Sequence, residues 1–311
     1  MAMSKDTPII PIAIDHGFSA IKTPHFCFTT GISEIDEPIT QDNTLWHDGK
    51  YYRVGTQRID VLEDKTASDS FRLLSYAAIA MELDRLDIKK ARVILAVGLP
   101  IGRLGREKEP FRKYLMDMHD VKFRYSGKAY VVSIENVKVY PQCYGAIVAR
   151  LPELKSEEII VDIGSWTVDT LHLIDRSPDE AKCGSDPNGL IPCMRHIDEE
   201  CVKRFNTKIG ENIIKDVMIT GTADIDPAYI RVIEDELKKY TKSIFHIIRE
   251  QGINVNVTPI TFVGGGASLM KRYAGIDKKN VRYIEDICAN AKGYELLLKA
   301  YLKSKGNEFV G

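Results

Sequence analysis

The chain has 311 residues, 44% of them hydrophobic and 28% charged, a globular composition long enough for roughly two domains of ordinary size. Lysine and arginine number 43 against 44 acidic residues, so no basic excess advertises direct contact with nucleic acid. No apolar run reaches the roughly 20 residues of a membrane span, the N-terminus lacks a signal-peptide pattern, and six scattered cysteines show no metal spacing, which together predict a cytoplasmic protein with reduced thiols and no membrane partner.

The first apolar run, residues 9–15, predicts a strand that turns at Asp15-His16-Gly17 and returns over 19–28. Alone, such an Asp-x-Gly tip is an ordinary hairpin turn. A strand over Lys50–Val54 follows, then a helix from Ser68 or Asp69 with Leu73, Leu74, Ala77, Ala78 and Met81 on its apolar face. A strand over 92–97 ends at Gly98-Leu99-Pro100, where proline stops regular pairing, and a charged helix is expected over 106–118. Strands over 119–125 and 128–138 flank Ser126-Gly127, a hairpin turn.

A second acidic tip, Asp162-Ile163-Gly164-Ser165, separates strands expected over 159–162 and 167–174. Residues 175–189 read as a loop, followed by helices over 192–205, 211–216 and 226–250; in the last, Ile230, Ile233, Leu237, Tyr240, Ile244 and Ile247 form an amphipathic stripe. Then Ile260–Val263 runs into Gly264, Gly265 and Gly266 at the start of a helix, and a final helix spans 286–303. Two acidic tips mean more than one. Glycine lets backbone N–H groups approach an oxyanion, and the aspartate beside it can hold a hydrated magnesium ion, so two facing tips would clamp one polyphosphate. Three glycines at a strand-to-helix junction leave a helix N-terminus pointing at a flat or anionic ligand. Each tip also begins a block of strands followed by helices, a hint of distant duplication.

The order of acidic turn, acidic turn and glycine loop resembles the superfamily of ATPases that unites actin, the heat-shock chaperones and the sugar kinases. In detail it is most similar to the ParM/StbA-type plasmid-segregation actin-like ATPases. Residues 15–22 resemble the first phosphate motif, with Lys22 at the phosphate-contacting lysine; residues 93–100 resemble the strand ending in Gly-Leu-Pro; residues 139–146 and 289–295 resemble the two connecting helices. The resemblance implies an α/β, actin-like (ribonuclease H-like) two-domain ATPase with its nucleotide in the interdomain cleft. Domain I would span 1–157, completed by a C-terminal helix, 287–311, and domain II 158–286.

It implies as well which residues serve the nucleotide. The ligand is ATP, with GTP left open, contacted by Asp15, His16, Gly17, Phe18, Ser19, Lys22, Gly164, Ser165, Trp166, Thr167, Gly264, Gly265 and Gly266. Asp15 and Asp162 reach Mg²⁺ through water. Gln142 and Asp162 are the catalytic pair. Gln142 stands where ParM relatives carry a glutamate and actin a glutamine; an amide is no strong base but can orient an attacking water. Phe18 and Trp166 are bulkier than the residues usual in these turns, which leaves backbone contacts there. Asp169 shares a strand face with Thr167 and could brace the second turn. His16, in a turn without a paired nucleophile, is assigned no acid–base role.

The function implied is a Mg-dependent nucleoside triphosphatase that polymerises with ATP into dynamic filaments and segregates plasmid DNA. The partner would be a ParR-like DNA-binding adaptor on a centromere-like site, in keeping with the balanced charge. The alternatives are a small-molecule kinase and a nonpolymerising regulatory ATPase of the same superfamily. With no peptide-binding β-domain after Gly311, a complete chaperone is not expected.

Overall fold

The computed structural model describes residues 7–59, 64–276, 279–306 and 308–310. The chain divides into two compact units, Met1–Ala149 together with Cys288–Gly311, and Arg150–Ile287.

Unit 1 opens with β1 (Ile9–His16), β2 (Ala20–Lys22), β3 (Cys27–Thr29), β4 (Ile32–Ile35), β5 (Thr44–His47) and β6 (Lys50–Val54), and continues through α1 (Ser70–Arg85), β7 (Lys90–Leu99), α2 (Ile101–Met116), β8 (Val121–Tyr125), β9 (Lys128–Pro141) and α3 (Tyr144–Ile147). Its nine-stranded sheet has the order β3-β2-β1-β7-β9-β8-β5-β6-β4. β1 runs antiparallel to β2 and parallel to β7, which runs parallel to β9. Alternation along these strands assigns each face its cover. Ile10, Ile12, Ile14, Val93, Leu95 and Val97 join the core with α1 and α2, whereas Ala13, Ile94 and Ala96 face Tyr294, Leu298 and Leu302 of the C-terminal helix.

Two elements depart from the expected bounds. The charged helix starts at Ile101 rather than near 106, because Pro100 serves as its N-cap residue and not merely as a strand stop. Residues 139–141 are not helical: β7–β9 pairing extends to Leu99 opposite Pro141, holding them in the sheet, and the first connecting helix is reduced to Tyr144–Ile147 followed by a 3₁₀ segment, Val148–Glu153. The Ser126-Gly127 turn is as read, with both residues at positive φ and Tyr125 paired to Lys128.

Unit 2 holds β10 (Glu157–Ile163), β11 (Val168–Ile174), β12 (Ser177–Pro178), β13 (Gly184–Asp186), α4 (Leu190–Phe205), α5 (Glu211–Thr220), α6 (Pro227–Glu250), β14 (Ile260–Val263), α7 (Gly265–Tyr273) and β15 (Val281–Ile284). The expected loop over 175–189 therefore contains two short strands and a 3₁₀ turn, Glu180–Lys182, and α5 runs on to Thr220. α6 starts where Asp226 accepts from the Ala228 N–H at 2.7 Å with Pro227 as its first residue. The sheet order β12-β11-β10-β14-β15 repeats that of β3-β2-β1-β7-β9 in unit 1, with the same polarities: two antiparallel pairings, then two parallel. The last helix, α8 (Ala289–Ser304), belongs to unit 1, where it packs on β1, β7 and α3.

Candidate functional site

In unit 1 the β1–β2 hairpin sets Asp15 opposite Lys22, whose ammonium lies 3.5 Å from one carboxylate oxygen. The other oxygen accepts from Gln142 Nε2 at 2.9 Å. Three of the expected site residues thus meet around a carboxylate that is 2% exposed. Gln142 is aimed by its backbone: its N–H donates to Leu99 at 2.9 Å, and its carbonyl accepts from Tyr144 at 2.8 Å. That i to i+2 bond closes a γ-turn on Cys143, at φ 65° and ψ −53°. A non-glycine residue there costs about 1–3 kcal/mol, so packing holds Gln142 in place against local strain.

Other expected residues of this turn point elsewhere. The Phe18 ring meets Phe71 edge-on at 6.0 Å, and Ser19 Oγ accepts from Arg58 at 3.2 Å. The His16 ring is fully buried, with Phe71 and Phe111 edge-on against it. Ser75 Oγ gives its proton to the Phe71 carbonyl, so the 2.8 Å bond from His16 Nε2 to Ser75 makes Nε2 the protonated nitrogen. Burial first, and the charge of Lys65 second, push the His16 pKa down to about 3. The ring therefore takes up a proton near 6.5 only when the chain unfolds. Stability is complete above about pH 6.5 and erodes as pH falls towards 3, by up to about 1.4 kcal/mol per unit. The denaturant midpoint of the wild type should drop between pH 7 and 5, and His16→Asn should flatten that slope; an unchanged slope would contradict the buried neutral ring.

In unit 2 the tip between β10 and β11 is stitched to the start of α4. The N–H groups of Gly189, Leu190 and Ile191 donate to the carbonyls of Trp166, Gly164 and Ser165 at 3.1, 3.0 and 2.8 Å. Gly189 lies so close to Trp166 that a Cβ would strike its backbone. The Gly164 N–H is engaged with the Thr167 carbonyl at 2.9 Å, and the Thr167 hydroxyl donates to Asp169 Oδ2 at 2.9 Å, so neither is a spare donor. The described peptide bonds are trans, and carbonyls drawn to α4 leave the Ser165, Trp166 and Thr167 N–H groups as this turn's candidate phosphate donors. The Trp166 ring lies under the Arg195 guanidinium, 5.0 Å from its centroid.

Asp162 pairs directly with Asp169 across the hairpin, which puts two carboxylates on one sheet face. Like charges so placed destabilise by roughly 0.2–1 kcal/mol, a cost that a cation would offset. Among the described residues no group of three or more His, Cys, Asp or Glu side chains could hold a metal by itself. Both Asp15 oxygens are engaged within the protein, one by Gln142 and the other by Lys22.

The three glycines differ in task. Gly264 has φ 75°, and a Cβ there would lie 2.8 Å from Asp162 Oδ1. At Gly266 a Cβ would strike Ile163, so this glycine lets α7 pack on β10. Gly265, the first residue of α7, faces open space.

Residues 13–145, a span that includes Asp15, Lys22 and Gln142, match the family model described as the N-terminal domain of actin-like proteins. Among solved structures, the actin-like protein Alp7A superposes with a TM-score of 0.75 at 16% identity, over 96% of this chain and 98% of that one. The fold is that of the actin-like proteins. The Alp12 filament structure matches at 0.68 and 18% identity, over 95% and 100%, and Bacillus thuringiensis ParM with ATP at 0.67 and 15%, over 94% and 100%. No curated protein matches by sequence. The resemblance read from the motifs is thereby borne out at the level of the actin-like fold.

One further feature of this actin-like chain went unread in the sequence. A cavity of about 530 Å³ opens along α4, lined by Arg195, Asp198, Glu199, Val202, Lys203 and Lys208. Charges at helical spacing look like a solvated face; the Arg195–Trp166 contact ties them to the second turn.

Proposed function

We propose that this actin-like protein hydrolyses Mg-ATP and that its nucleotide state controls assembly into filaments. The meeting of Asp15, Lys22 and Gln142 carries the reading. An ionised carboxylate only accepts, so the Gln142 amide must donate to Asp15, and its Oε1 is left to accept from a water. In unit 1 Gln142 orients that water and Lys22 compensates phosphate charge, while Asp162 is the catalytic carboxylate of unit 2; such positioning and electrostatics dominate phosphoryl transfer. When bound, magnesium would neutralise the phosphates. In unit 1 the turn from Asp15 to Phe18 offers backbone N–H groups to phosphate oxygens, and in unit 2 Ser165 and Trp166 offer theirs. Gly265 and the α4 cavity take the nucleoside, with Glu199 an acceptor for sugar hydroxyls. Backbone and shape contacts of this kind do not separate ATP from GTP.

The solved B. thuringiensis ParM with ATP and the Alp12 filament support the nucleotide and the self-assembly respectively. By the ParM-like resemblance, the filament works in the cytoplasm and moves plasmid DNA through a ParR-like adaptor on a centromere-like site.

Light scattering and phosphate release, followed together after adding Mg-ATP, Mg-GTP or a nonhydrolysable analogue, test this. Scattering should rise above a critical concentration and decay as phosphate appears. Steady phosphate release from a protein that never scatters would replace the filament with a soluble kinase or regulator. Gln142→Ala should slow release about a hundredfold while polymer persists longer; normal turnover would remove Gln142 from the mechanism.

A further inference from the structure

Lys65 is 3% exposed and lies against the first turn from the core side. Its ammonium donates to the His16 carbonyl at 2.6 Å and stands 5.2, 5.6 and 5.8 Å from the ring centroids of Phe18, Phe71 and Phe111. A methionine would fill the same space among the rings but could not donate to the His16 carbonyl, so the ammonium adds a contact that packing does not supply.

What the charge does follows from peptide geometry. In a trans peptide the carbonyl of one residue points opposite to the N–H of the next. With the His16 carbonyl held by Lys65, the Gly17 N–H is directed away from the core. The next carbonyl, of Gly17, is held as well, by Thr30 Oγ1 at 2.6 Å, which directs the Phe18 N–H away from its own anchor. Among the described residues neither N–H finds a protein acceptor. A cation on the carbonyl side also polarises the peptide, which strengthens its N–H as a donor to an anion.

We propose that Lys65 is a positioning residue of the nucleotide site, one that fixes and polarises the His16–Gly17 peptide so that the Gly17 N–H is presented to a phosphate oxygen. Thr30 fixes the following peptide in the same way without the charge. This assignment rests on the reading of the first turn as a phosphate turn.

The test is the affinity of the full chain for Mg-ATP, by calorimetry, in the wild type, Lys65→Met, Lys65→Arg and Thr30→Val. If the lysine only packs, neutral methionine is tolerated best and bulkier arginine worst. A positioning cation gives the opposite ranking: Lys65→Met weakens ATP binding about tenfold or more, and Lys65→Arg recovers at least part of the loss. Methionine binding ATP as well as arginine or better overturns the proposal. Should Lys65→Met fail to fold, Thr30→Val decides: weaker ATP binding at unchanged melting temperature upholds the role of the anchored carbonyls, and unchanged binding refutes it. A cooperatively folded wild type that binds no ATP would instead bring down the phosphate reading itself, and this assignment with it.

Discussion

Asp162→Asn should reduce phosphate release by about a thousandfold and leave the unliganded protein as stable as the wild type, or slightly more so. The two halves of this expectation come from one geometry. Asp162 faces Asp169 across the β10–β11 pair, so the two carboxylates stand as directly opposed like charges on one sheet face. Neutralising one relieves that repulsion and keeps the side-chain shape beside Gly264. In the proposed reaction the same charge anchors the magnesium water shell and polarises the attacking water, and losing preorganised electrostatics of this kind costs on the order of 10²–10³ in rate. A purely structural aspartate would behave the other way, with stability lost and turnover kept. Thermal melting without nucleotide, set beside phosphate release with Mg-ATP, separates the two.

Gly293→Ala should destabilise unit 1 by about 3 kcal/mol or more, although helix propensity favours alanine by about 1 kcal/mol. Gly293 lies inside α8, and a Cβ there would run into the Gly145 carbonyl and Cα. The obstacle is backbone and has no rotamer to change, so α8 must move away from α3. That shift would also loosen Tyr294, whose ring fits only because Gly98 and Gly145 have no side chains, and would strain the 3.1 Å bond from the Ala146 N–H to Asn290 Oδ1. A urea midpoint that rises would mean the crossing is wider than described. Gly265→Ala is the matched control: its Cβ meets open space, so stability should hold and any loss should fall on nucleotide affinity.

The hairpins were legible in the sequence because their signals are local. Asp15 and Gly17, Asp162 and Gly164, and Ser126 and Gly127 each mark a turn between apolar runs, whereas Lys22 was found through the resemblance and only the strand pairing sets it opposite Asp15. What escaped depended on distant partners. Residues 139–141 stayed extended because β7 pairs with them as far as Leu99, forty residues away in order of magnitude, which no local pattern announces. Pro100 read as a stop, yet a proline that ends a strand can also open a helix, and α2 follows at once. Gln142 was found through the resemblance; its aim at Asp15 comes from the strained Cys143 turn, which has no sequence signature. Lys65 and the charges along α4 were hidden for a related reason. A lysine after an acidic stretch and a charged helix face both look like surface until the fold encloses them.

The return of α8 to unit 1 has a consequence for how the protein is made. Unit 2 is one uninterrupted stretch of chain, Arg150–Ile287, and can close its core as soon as it has left the ribosome. Unit 1 is synthesised first but cannot finish: until Tyr294, Leu298 and Leu302 emerge, the face of its sheet carrying Ala13, Ile94 and Ala96 has no cover. The N-terminal half of the nascent chain must therefore wait with an apolar face open to water, and it is there that chaperones would be needed during translation.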